Sequence, residues 1–88
     1  MKKFKFHHDS GHGWLAVKIV YLKQLGIHDK ISQYSYKRGK TAYLEEDCDA
    51  MIFIDAYKSY FNSNPEFITL KFQNRSGIRN YERYSENG

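Results

Sequence analysis

The longest helical pattern in the chain constrains it most. Over residues 47–61 the apolar positions Ala50, Phe53, Ile54, Tyr57 and Phe61 fall on one stripe, while Asp55, Lys58 and Ser59 fall opposite. Such a helix is half apolar and must bury that stripe on another layer. Asp47 is suited to cap its start, with Asp49 in the first turn where the helix dipole favours negative charge. Met51 and Ile52 lie off the stripe. The Asn62-Ser63-Asn64-Pro65 run ends the helix.

The layer it needs is a sheet. Phe4, Phe6 and His8 alternate with Lys3, Lys5 and His7, which is the period of a strand. Asp9-Ser10-Gly11-His12-Gly13 is turn chemistry, and residues 14–17 return as a second strand, with Trp14 expected in the core. Residues 18–25 place Ile19, Leu22 and Leu25 at helical spacing. Gly26 and Ile27 then supply a left-handed cap and an apolar residue that folds back toward Leu22. Residues 31–36 and 41–45 flank Lys37-Arg38-Gly39-Lys40 and predict a second hairpin. A loop of Arg38-Gly39 puts Tyr34, Tyr36, Thr41 and Tyr43 on one face. A longer loop with Gly39 at a bulge groups Tyr34 and Tyr36 with Ala42 and Leu44, and is favoured because Ala42 and Leu44 suit the core. Residues 67–72 read as a final strand.

The expected class is α+β, a mainly antiparallel sheet in the order β-β-α-β-β-α-β with the helices packed on it. At 88 residues there is room for one domain, taken as residues 1–74, with residues 75–88 a basic, aromatic arm or loose tail. A chain this short cannot form a barrel enzyme or a full dinucleotide fold. The 17% of aromatic residues argues against disorder, since rings can be buried. No apolar run approaches the ~20 residues of a membrane helix, and no secretory signal follows the basic start. The single Cys48 excludes an internal disulfide and suits a reducing compartment.

Charge is uneven. Residues 1–40 sum to +7, residues 41–66 to −5 and residues 67–88 to +2, for a net +4. Four motifs bear on chemistry. His7, His8, Asp9 and His12 offer metal-ligating groups, but successive strand residues face opposite ways, so only one of His7 and His8 converges readily with Asp9 or His12. Gly11-His12-Gly13 offers backbone N–H groups to an anion, though without the lysine and helix of a phosphate loop. Glu45-Glu46-Asp47-Cys48-Asp49 clusters carboxylates that disfavour a Cys48 thiolate. Tyr34, Tyr36, Arg38 and Tyr43, and further on Arg79, Tyr81 and Arg83, interleave rings with cations. That pattern suits stacking and acid recognition and ranks first. No Ser-His-Asp order or Cys-His pairing points to nucleophilic catalysis, and no cofactor is expected.

The strings His8-Asp9-Ser10-Gly11-His12-Gly13-Trp14-Leu15, Leu25-Gly26-Ile27 and Tyr43-Leu44-Glu45-Glu46-Asp47-Cys48-Asp49-Ala50 resemble a group of short proteins carried by bacteriophages, prophages and plasmids. The resemblance spans most of residues 4–60 and carries no established activity. It implies an accessory product of a mobile element, working in the cytoplasm of a bacterial host.

The expected function is a non-enzymatic binding module that occupies a host protein or protein–nucleic-acid complex, as an inhibitor of a defence or DNA-handling machine. Tyr34, Tyr36, Arg38, Tyr43, Arg79, Tyr81 and Arg83 would make contacts, and Glu45, Glu46 and Asp49 would mimic phosphate spacing. One alternative is direct nucleic-acid binding, with Lys2, Lys3, Lys5, Lys37, Arg38, Lys40, Arg79 and Arg83 along the backbone and Tyr36 or Tyr81 stacked on a base. Another is a metal module or small metal-dependent hydrolase built on His7 or His8 with Asp9 and His12.

Overall fold

The chain begins with two strands, β1 (Lys3–His8) and β2 (Gly13–Lys18), joined as an antiparallel hairpin with Lys5 opposite Ala16 and His7 opposite Trp14. The computed structural model describes residues 3–71 and 77–85, and of Arg79 the backbone alone. The hairpin turn is held by Asp9, whose Oδ1 accepts the N–H groups of Gly11 and His12 at 2.9 Å each. A short aspartate side chain closes its own turn in this way.

Helix α1 (Ile19–Gln24) follows directly. Gly26, at φ +72°, donates its N–H to the Lys23 carbonyl, and Ile27 donates to the Leu22 carbonyl. These are the paired bonds of a Schellman stop. The fold-back expected of Ile27 is present, and Ile27 and Leu22 are both buried.

The second hairpin joins β3 (Tyr36–Arg38) to β4 (Thr41–Glu45), with Arg38 opposite Thr41 and Tyr36 opposite Tyr43. Its loop is therefore Gly39-Lys40. Gly39, at φ +60°, takes the first turn position, which a type II′ turn reserves for glycine. This corrects the favoured longer loop. Ala42 and Leu44 do reach the core, but the residue opposite Ala42 is Lys37, and Tyr36 shares the other face with Tyr43. Tyr34 precedes the strand and is exposed.

Helix α2 (Asp49–Phe61) starts at Cys48, which makes no side-chain cap bond, so Asp47 is not the cap. Asp49 is buried instead of solvated. Its Oδ2 accepts from Ser32 N at 3.1 Å, Ser32 Oγ at 2.7 Å and Ser35 Oγ at 2.5 Å. Ala50, Phe53 and Tyr57 of the expected stripe are buried, whereas Phe61 and Met51 are exposed. Asn62 ends the helix in the left-handed region and donates to the Lys58 carbonyl.

β5 (Glu66–Lys71) lies beside β1 and runs parallel to it. The reason is the connection. α2 carries the chain back over one face, so β5 must run in the same direction as β4 and β1. Four of the five strand pairs are antiparallel and this one is not, so the sheet is mixed. From β5 the chain reaches a 3₁₀ turn (Gly77–Asn80) and a short strand β6 (Glu82–Arg83), antiparallel to β3. The sheet order is β5-β1-β2-β4-β3-β6.

Residues 77–85 were expected within a loose arm. They belong to the fold, because Ile78 and Tyr84 are buried, Tyr84 N–H donates to the Ser35 carbonyl and Tyr84 Oη donates to the His28 carbonyl. The remaining arm residues, 75, 76 and 86–88, lie outside the described residues.

Both helices cover one face. Between them and the sheet lie Phe4, Leu15, Val17, Leu22, Ala42, Leu44, Phe53 and Tyr57. Phe53 packs edge-on to Phe4 with centroids 5.0 Å apart. Among the described residues no helix is long and apolar enough to cross a membrane.

Candidate binding face

Strand alternation sends every second side chain to the face that the helices leave uncovered. One register line crosses all six strands there: Arg83, Tyr36, Tyr43, Ala16, Lys5 and Ile68. The neighbouring line holds Glu45, Trp14, His7 and Leu70. Towards β6 these lines are dominated by rings and guanidinium groups.

The Arg83 guanidinium sits 5.1 Å from the Tyr36 ring centroid and donates to the Gln33 carbonyl at 3.1 Å. The Arg38 guanidinium sits 5.1 Å from the Tyr81 ring centroid and donates to Tyr81 Oη at 3.2 Å. Tyr81 in turn lies 5.1 Å from Tyr43, which lies 5.8 Å from His7. Trp14 meets Tyr36 edge-on at 6.3 Å. Exposed cation–ring contacts are weak, so their main effect is to fix where the cations stand.

The electrostatics follow from these contacts. The hydrogen bond from Arg38 to Tyr81 raises the Arg38 pKa further, so that cation is permanent. Burial pushes the Tyr43 phenol up, and the neighbouring Tyr81 adds to the shift. Burial lowers the His7 imidazole, with Lys5 acting in the same direction. His7 therefore presents a neutral ring to Tyr43 at neutral pH.

Beside this array is a cleft of about 340 Å³ lined by His12, Trp14, Tyr34, Tyr36, Glu45, Asp47, Cys48 and Arg83. Glu45 anchors it. Its Oε2 accepts the Asp47 N–H at 2.9 Å, and its Oε1 lies 3.8 Å from His12 Nδ1. Desolvation, then the charges of Glu45 and Asp49, push the Cys48 thiol up. That disfavours the thiolate a nucleophile requires.

The structure sorts the sequence candidates. Tyr34, Tyr36, Glu45 and Arg83 converge at the cleft, and Arg38, Tyr43 and Tyr81 pack together beside it. Glu46 departs to another shallow groove with Phe6, Met51 and Phe67. Asp49 is consumed by its serine clamp. The phosphate-like set Glu45, Glu46 and Asp49 is thus not assembled on one surface. Arg79 sits in the 3₁₀ turn, and its side chain is outside the described atoms.

The metal set is also dispersed. His8 stacks on Phe6 on the helix side, Asp9 closes its turn, and His12 leans toward Glu45 and Trp14. Among the described residues no three His, Cys, Asp or Glu side chains gather as a metal site. The Gly11 and His12 N–H groups, once candidates to hold an anion, are bonded to Asp9.

Two contributors were missed, Trp14 and Asp47. Trp14 is buried as expected, yet on the uncovered face. Period-two counting from the core residues Leu15 and Val17 places it there. Asp47 was assigned to the helix cap, and its role in the cleft carried no local signal. The chain matches no known family, no curated protein and no solved structure.

Proposed function

We propose that the protein is a non-enzymatic binding module of a mobile element, which docks through the ring-and-guanidinium face onto a host protein or protein–nucleic-acid complex and hinders it. The observation that carries this reading is the convergence of Tyr36, Tyr43, Tyr81, Arg38 and Arg83 on one face, as two cation–ring contacts linked through the cross-strand neighbours Tyr36 and Tyr43. Tyrosine and arginine dominate interface hot spots because they bury much area while losing little conformational freedom. Here both guanidinium groups are already held against rings, so docking does not have to order them. The Glu45 cleft adjoining the array gives the surface a second charge sign and so a defined orientation.

Capture from bacterial host lysate with the immobilised protein, before and after nuclease treatment, tests the reading. A partner retained after nuclease, reduced at least about 10-fold by Tyr36→Ala with Arg83→Ala and unaffected by Lys58→Ala, is the expected result. The same proteins captured by all three forms would sink it.

A further inference from the structure

A second feature lies at the corner where β2 enters α1 and the β3–β4 turn folds back. A groove of about 700 Å³ is lined there by Lys18, Lys23, Lys37 and Lys40, with His28 and Tyr84. A neighbouring groove of about 390 Å³ on the uncovered sheet face is lined by Lys3 and Lys5 and again by Lys18. The two share Lys18 and Tyr21, so six lysines line two adjoining grooves. No aspartate or glutamate lines either groove among the described residues.

Lys37 is the informative member. It points to the helix-covered side, opposite Ala42, at a position where an apolar side chain would pack. It is 6% exposed, yet no ion pair or hydrogen bond engages its ammonium among the described residues. Even Glu82, its cross-strand neighbour, does not reach it. A long stem buried with the charged end left in a groove is how lysine snorkels. His28 Nδ1, buried and without a hydrogen-bond partner among the described residues, borders the same groove. A cluster of like charges repels itself and is favourable when an anion fills the groove between them.

We infer that the two grooves together form a track for the backbone of a single-stranded nucleic acid. The cations are spread over two joined grooves, which suits a chain of phosphates better than the compact phosphates of one nucleotide. The path also turns from the sheet face around the α1 corner. A flexible strand follows such a bend, whereas a duplex, with a persistence length of about 50 nm, does not. Tyr21 stands at the junction, where a base can stack. The track borders the array at Tyr43 and His7, but its cations are lysines and not Arg38 or Arg83, so the lysine variants test it separately.

The test is fluorescence anisotropy with a labelled single-stranded oligonucleotide of about 12 nucleotides. Six phosphate contacts predict binding that weakens about 300-fold between about 50 mM and 200 mM salt. Replacing Lys18, Lys23 and Lys40 together by Glu, with circular dichroism as the check on folding, should weaken binding more than about 100-fold. The corresponding triple Ala variant should reduce the salt slope by about 0.7 per residue, and Lys58→Glu should change affinity less than about twofold. No binding at the lower salt, or unchanged affinity in the folded triple Glu variant, overturns the inference. So does a nucleoside triphosphate that competes as well as the oligonucleotide, or a duplex of the same length that binds equally.

Discussion

The two faces of the sheet are built from alternate residues of the same strands, yet different physics holds them. On the helix side Leu15, Val17, Ala42 and Leu44 are sealed, and any apolar residue of similar volume would serve. On the other side Tyr36, Tyr43, Arg38 and Arg83 are partly or wholly exposed and hold one another by oriented contacts that few substitutions would reproduce. The comparison teaches that the sealed core and the proposed binding surface are separated by a single residue step along each strand. Trp14 is the exception, a core-like side chain on the uncovered face.

If that division holds, the largest effect belongs to the helix side. Phe53→Ala should cost about 3–5 kcal/mol of unfolding free energy in urea titration. A comparable loss from Arg83→Ala would erase the distinction between the faces. Next comes the clamp that ties α2 to residues 32–35. Asp49→Asn removes the charged acceptor shared by Ser32 and Ser35 and should cost about 1–3 kcal/mol by the same titration. A value near zero would mean that the loop is placed by Ile31 and Tyr84 alone.

Smaller changes are expected from the exposed array. Arg38→Ala should leave the urea midpoint nearly unchanged while weakening partner capture. The smallest effect is a pH dependence. Burial holds the His7 pKa below its ordinary 6.5, so the unfolded chain takes up the proton more readily than the folded one. Stability should therefore be full above pH 6.5, and fall as acidification proceeds below it. His7→Gln should flatten that part of the profile in thermal melts across mild acid. Trp14, the sole tryptophan, lets fluorescence follow the uncovered side of the sheet while circular dichroism follows the helices. Coincident curves would show that the faces unfold together.

Local signals sufficed wherever a structure is decided within a few residues. The alternation of Phe4, Phe6 and His8 marked β1, the Gly26-Ile27 stop marked the end of α1, and the stripe from Ala50 to Tyr57 marked α2. The sequence also picked out the tyrosines and arginines that form the array, because ring–cation interleaving is visible along the chain. It did not show that they would meet, since Tyr36 and Arg83 become neighbours only when residues 82–83 add a strand to the second hairpin.

Tertiary structure decided the rest. The parallel β5 follows from a helix crossing the sheet, and the hairpin register from a turn whose twist must suit its strands. The burial of Asp49 follows from serines 17 and 14 residues away. Tyr84 finds its acceptor 56 residues back. Such partners are chosen by distance in space, on which hydrogen bonds and close packing depend steeply. Spacing along the chain records the period of each element but not which element will lie beside it.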